Sequence, residues 1–478
     1  MKYRKNLIVV LAILLAGTAT YSFARDYKVS AGISTGFEFY DRKYNSDDGG
    51  NEDEADGVVT LTEDLTALQD DNYDRFRITP LIKISSDTAR DGMVFSYSPS
   101  FRYDYDTYDH DIDHTLSASY NRFFTNQWHV TLTEDYRQSD MVDDGSTRAT
   151  IDSPDAVSDT NGRRQYWTNN LGFRTEYTYW ESSQLSFGYV YSILENVDPD
   201  PLRNYENYDK HTATMAVFHQ FDSIWNGTVS GRYVRGLYES TGTVLEDVVP
   251  ASDNDLKEYM ISTKLSSSLI EHHPLSLAYA FSATDYDVAT RDDSIVHDII
   301  LGWQWNITEV FIASLGGGPT YVDISGQDGE WKYNANFGLQ YEMERSSLNF
   351  TSAGGYEYQN FSGTDESGLR KYWQTRLDYS YQFLKDLSFS IYSLYRNEDR
   401  QELFVLSTLG DDTADLPKET INRKRFVAGT GLGYTFAQFY SVTFSYNYTK
   451  LESDAIRDNY DEHRLNLMLS YNRDLFSW

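Results

Sequence analysis

Imidazole can serve as base, acid or metal ligand near neutral pH, so the nine histidines are the first candidates for chemistry. His110 and His114 flank Asp111 and Asp113, a grouping that suits an Asp/His dyad or a metal site. His272 and His273 stand together in a short polar break, and the remaining five are scattered. None falls in a HExxH or GxSxG signature, and no glycine-rich phosphate loop is present. Cysteine is absent, which removes thiolate metal sites, Cys-attached haem, disulfides and Cys nucleophiles. Scattered loop histidines are ordinarily solvated, so the expectation is a protein that is not an enzyme and uses no cofactor.

Carboxylates are the next candidates. The 478 residues include 73 acidic against 41 basic side chains, a net charge of -32. Such a chain is a poor partner for nucleic acid, whose phosphates are held by Lys and Arg. The acids gather in a few segments: Asp47 to Asp71, Asp106 to Asp113 and Asp143 to Asp159. Hard divalent cations want several carboxylate oxygens, which Asn45–Glu54 offers without the ordered spacing of an EF-hand. A solvated surface that keeps the chain soluble in periplasmic transit explains these acids better, and bridging to lipopolysaccharide through divalent ions is a less specific use. Whether any metal site exists is left open.

The basic residues follow a rhythm instead. Tyr27, Val29, Ala31, Ile33, Phe37 and Phe39 share one parity, while Lys28, Ser30, Ser34 and Glu38 hold the other. Period two places the two sets on opposite faces of a strand. The pattern returns in Phe95 to Asp104, Leu185 to Ile193, Trp373 to Phe383 and Arg464 to Tyr471. On the polar parity stand Arg75, Arg77, Arg102, Arg174, Arg376 and Arg425, among other Lys and Arg; fewer acids share it. Arg102/Asp104, Arg174/Glu176 and Arg376/Asp378 are spaced for pairing on one face, yet a basic excess is expected to remain. In a pore such residues would set selectivity and favour anions.

The elements that position these residues read as about twenty strands, from 27–40 to 463–472, with eighteen or twenty-two as alternatives. The stretch Gly316–Pro319 blurs one of them, and Val58–Leu68 is an optional extra. Connections alternate in length. Short ones include Thr125–Gln127, Glu181–Ser183, Asp222–Ser223, Glu344–Ser346, Leu384–Asp386 and Ala437–Gln438; long ones run Tyr44–Asn72, Ser139–Gly162, Glu195–Lys210, Glu239–Leu256 and Asn397–Asn422. Aromatics reach 15%, with 40 Tyr and 25 Phe. An apolar skin, aromatic girdles, a polar inner parity and loops long on one side describe an all-β, antiparallel, up-and-down transmembrane β-barrel of the outer membrane. An even strand number puts both termini in the periplasm.

The chain opens with Lys2, Arg4 and Lys5, an apolar run Leu7–Ala16, and Ser22-Phe23-Ala24. That is the layout of a secretory signal peptide over residues 1–24, leaving one barrel domain over 25–478. It closes on Phe476-Ser477-Trp478. A terminal aromatic after an alternating strand resembles the signal by which the barrel assembly machinery recognises its clients, so Phe476 and Trp478 are assigned that role.

Through the Tyr-rich alternating strands, the acidic connections and this terminus, the chain resembles the β-barrel porin 2 family of Gram-negative bacteria. That resemblance implies a large outer-membrane barrel linked to exopolysaccharide secretion, with a periplasmic polysaccharide-export protein as partner. The resulting expectation is a passive aqueous conduit for saccharide polymers or oligomers, embedded in outer-membrane lipid and lipopolysaccharide. Its alternatives are a nutrient porin for small anionic solutes, or a plugged scaffolding barrel or electron-conduit sheath.

Overall fold

A computed structural model of the chain describes residues 26–44, 71–139, 165–197, 206–240, 255–287, 291–361, 368–402, 419–454 and 459–477. The expected signal peptide, the optional strand at Val58–Leu68, the segments 45–70 and 140–164 with their acids, and Trp478 lie outside these residues.

The described residues form twenty strands. They are β1 (Asp26–Tyr44), β2 (Asp71–Asp87), β3 (Asp91–Asp104), β4 (His110–Phe123), β5 (Trp128–Ser139), β6 (Gln165–Trp180) and β7 (Ser183–Val197). Next come β8 (Glu206–Gln220), β9 (Trp225–Ser240), β10 (Leu256–Ser267), β11 (Leu275–Tyr286), β12 (Ser294–Asn306), β13 (Phe311–Ile324) and β14 (Glu330–Glu342). The last six are β15 (Ser346–Gln359), β16 (Gly368–Leu384), β17 (Leu387–Glu402), β18 (Glu419–Phe436), β19 (Tyr440–Ser453) and β20 (Tyr460–Ser477). Each pairs antiparallel with the next, and β1 pairs with β20, so the sheet closes into a barrel. Closure leaves no terminal sheet edge, which is what lets a sheet cross a membrane.

Parity survives the full circuit. Ile33 and Phe37 stand opposite Pro80 and Phe76 of β2, and Phe37 and Phe39 opposite Leu467 and Leu465 of β20. β19 meets the same outward set through Val442↔Leu469 and Phe444↔Leu467. One residue of slip anywhere would turn an apolar row inward.

Several strands outrun the sequence reading, because alternation continues past the apolar stretch. β17 extends to Glu402, and β7 and β8 take residues at both ends of the expected long connection Glu195–Lys210. Gly316–Pro319 lies inside β13. Proline has no N–H to donate. Accordingly the β12–β13 ladder skips from Asp298↔Thr320 to Leu301↔Gly317, and β2–β3 skips around Pro80 and Pro99.

The histidine cluster does not form. His110 and His114 share the outward parity of Ile112, whereas Asp111 and Asp113 point inward. His114 instead bonds Tyr97 Oη through Nδ1 at 2.9 Å. The same unit recurs as Tyr189–His211, Tyr279–His297 and Tyr446–His463 at 2.7–2.9 Å. Each joins an odd strand to the next on the outer face, where a ring with one polar tip suits the membrane–water boundary.

Candidate functional site

The candidate site is the lumen. Towards the short turns its wall is small and polar: Ser30, Ser34, Ser96, Ser117, Ser230 and Ser262 face inward, several in hydrogen-bonded pairs such as Ser96–Ser117 and Ser230–Ser262, each at 2.7 Å. Towards the long connections it is crowded. Tyr166, Leu194, Tyr208, Val234, Tyr238, Leu256 and Tyr286 all face inward and form one buried apolar cluster with Phe361. The conduit therefore narrows at one end.

Phe361 belongs to no strand. Beyond Gly354 β15 parts from β14 while staying paired with β16 as far as Gln359, and Asn360 and Phe361 pack against the inner faces of β8–β11 with no exposure. Tyr238 Oη donates to the Asn360 carbonyl and Tyr286 Oη to its side-chain oxygen, both at 2.7 Å. The Asn360 amide donates to Glu258 Oε1 at 2.7 Å. The Phe361 ring packs near Tyr208 and Tyr238, with Lys210 Nζ 3.9 Å above its centre. Gly236 permits this approach, since a Cβ there would sit 2.8 Å from Phe361 Cε1. From the β11–β12 connection Arg291 also turns in, 3.6 Å from Glu206. All hydrogen-bonding groups of the Asn360 side chain are thus engaged, as burial requires.

The opposite wall, β16 through β20 to β6, carries guanidinium groups. The register places Arg75, Arg77, Arg102, Arg174, Arg376 and Arg425 on the inner parity. Arg376 pairs with Asp378 at 2.6 Å, and Arg174 with Glu176, as their spacing suggests. Arg102 reaches across to Asp113 at 2.6 Å, and Asp104 is met by Arg75 at 3.2 Å. Arg77 Nε donates to Ser100 Oγ at 2.8 Å. Phe476 pairs with Val29 and is exposed on the outer face.

Sequence reasoning places Arg396, Arg464 and Glu38 on the inner parity but misses Glu398, Arg370, Arg423, Glu357, Arg42 and Glu462, which join them. Glu398 holds Arg370 Nη1 and Arg396 Nε at 2.8 Å, with Arg423 Nη1 at 3.9 Å. Arg396 also binds Glu357 and lies over the Tyr372 ring. Arg42 pairs with Glu462 at 2.5 Å, and Arg464 lies between Glu462 and Glu38. Continuing the alternation past Tyr40 would have found Arg42; nothing in the sequence marks Asn360–Phe361. These inward acids, with Asp111 and Asp298, shrink the expected basic excess. Basic contacts persist nevertheless: Arg77 stands directly opposite Arg102, and Arg396 directly opposite Arg425. Like charges in that position cost stability, which Asp113 beside Arg102 and Glu357 and Glu398 beside Arg396 offset.

No family model and no curated protein matches the chain. Among solved structures, the FrpB iron transporter from Neisseria meningitidis aligns with a TM-score of 0.50 and 9% identity, over 93% of this chain and 81% of that one. OccK2 (OpdF) of Pseudomonas aeruginosa in complex with glucuronate aligns at 0.40 and 11%, over 94% and 98%. A BenF-like porin from Pseudomonas fluorescens Pf-5 aligns at 0.40 and 9%, over 94% and 99%. Identity this low speaks to the fold alone. The protein is a closed, 20-stranded antiparallel β-barrel of the bacterial outer membrane.

Proposed function

We propose that the barrel is a passive porin for small anionic solutes. The observation that carries this reading is the Asn360–Phe361 hook standing in the lumen. A sliding saccharide polymer needs an open bore, so polymer export, and with it a periplasmic export partner, has less support. Charge selection rests on the inner Arg rows. A solute carboxylate would be met by Arg77/Arg102 and Arg396/Arg425, and would exchange with resident carboxylates such as Asp113 and Glu398. Lipopolysaccharide around the barrel and the assembly machinery during insertion are the partners this reading requires.

Liposome swelling with solutes graded by size and charge tests it. Small sugar acids are expected to enter faster than neutral sugars of equal size, and long oligosaccharides to be excluded. Entry of large dextrans, or no entry of any solute together with zero conductance in planar bilayers, would overturn it.

A further inference from the structure

The β14–β15 seam is closed only in part. Its ladder runs from Glu342↔Ser347 to Ala335↔Gly354 and stops, although β14 continues to Glu330 and β15 to Gln359. Above that rung β14 keeps β13 on its other side, as far as Val322↔Glu330, and β15 keeps β16, as far as Gln359↔Gly368. The seam therefore unzips because the end of β15 turns inward with the hook; Tyr358 Oη donates to the Ser294 carbonyl at 3.1 Å. Counting rungs from the short turn at ~3.3 Å each and a tilt near 40°, the parting starts roughly 18 Å up, inside an apolar band about 25 Å tall. An unpaired strand edge is not tolerated against lipid tails, but it is where it lines a watery cavity.

The two lips of the seam differ chemically. Outside stand Trp331 and Tyr333, 67% and 85% exposed, the most exposed aromatics of any strand. Inside stands Asn334, whose amide donates to Asp298 Oδ1 and Thr320 Oγ1 at 2.9 Å, while its own Oδ1 is buried without a hydrogen-bond partner. Lys332 and Glu330 pair along the same inner row. At Gly355 β15 still lies beside Asn334, since a Cβ there would be in ordinary contact with Asn334 Cβ at 3.5 Å, so the strands diverge beyond that rung.

We propose that this seam is a lateral port, through which an amphiphile with an apolar tail and a hydroxylated head passes between the outer leaflet and the lumen. Trp331 and Tyr333 take the tail. The free Asn334 Oδ1 accepts a head-group hydroxyl, with Lys332 and Glu330 beyond it. This adds a second entrance to the conduit, and its main test does not depend on conduction.

The probe is a photoreactive alkyl glucoside carrying a diazirine in its tail, presented to the barrel in vesicles and mapped by mass spectrometry. Label is expected to concentrate on Trp331, Tyr333 and Asn334 and to be competed by octyl glucoside but not by glucose. The chain has no native cysteine, so Tyr333→Cys with Tyr356→Cys gives a clean staple across the second unpaired rung, one step beyond Asn334 and Gly355. Oxidation is expected to abolish the label, and reduction to restore it. Asn334→Leu, which needs no staple, is expected to remove label from the inner lip while Trp331 remains labelled. Label spread evenly around the outer belt, or unchanged in both variants, overturns the port. A barrel that passes small anions but labels evenly fails the port alone; one that labels at the seam but conducts nothing fails only the porin reading.

Discussion

Replacing Phe361 with alanine removes the ring that fills the space between Tyr208, Tyr238 and Gly236. Phe-to-Ala changes in packed sites cost about 3–5 kcal/mol, far more than a strand end tethered by three hydrogen bonds can absorb unchanged. Single-channel conductance of Phe361→Ala is expected to rise above wild type, because the end of β15 no longer holds its place in the lumen; an unchanged conductance would mean that Phe361 does not narrow the path. Charge is tested separately. The double variant Arg77→Glu with Arg425→Glu removes one member of each like-charge pair and is expected to move the reversal potential in a salt gradient towards cation preference. No movement would mean that the inward acids already neutralise both groups. At this scale the sequence was uneven as a guide. Parity marks Arg77 and Arg425 because they sit within clear alternation, but the partner of Arg102 depends on β3–β4 register, which a chain read in one dimension does not supply.

Strand parity makes a sharper prediction for neighbouring residues of β20. Leu467 faces lipid and Asn466 faces the lumen. Arginine at a lipid-facing midplane position costs about 2–4 kcal/mol, whereas the same residue one step along meets water. Urea unfolding in vesicles is therefore expected to show Leu467→Arg strongly destabilised and Asn466→Arg close to wild type; equal losses would contradict the assigned faces. Alternation made the strands legible, and also the short turns, because hydrophobic rhythm is a local property. The strand ends were less legible. β17 reaches Glu402 and β18 begins at Glu419, where both parities are polar and the rhythm fades although the ladder continues. The seam at β14–β15 was not legible at all: Gly354 and Gly355 permit a bend, but its direction is set by Tyr238 and Tyr286, more than sixty residues away in sequence.

The molecule as a whole is held shut by β1 on β20, through a register running from Lys28↔Ser477 to Tyr44↔Tyr460. Removing Leu467–Trp478 deletes the lower half of that ladder and leaves two unpaired edges. Such a truncation is expected to lose the compact, SDS-resistant band that unheated barrel shows on a gel, whereas a closed barrel shifts only on boiling. Ser30 and Asp474, which meet in this joint, are 444 positions apart along the chain. Bringing such distant positions together is entropically demanding and slow. β20 is therefore indispensable to β1, and a copy that has made only one of them has nothing it can finish early. Any proteolytic nick that parts the two before the cylinder shuts wastes the entire polypeptide.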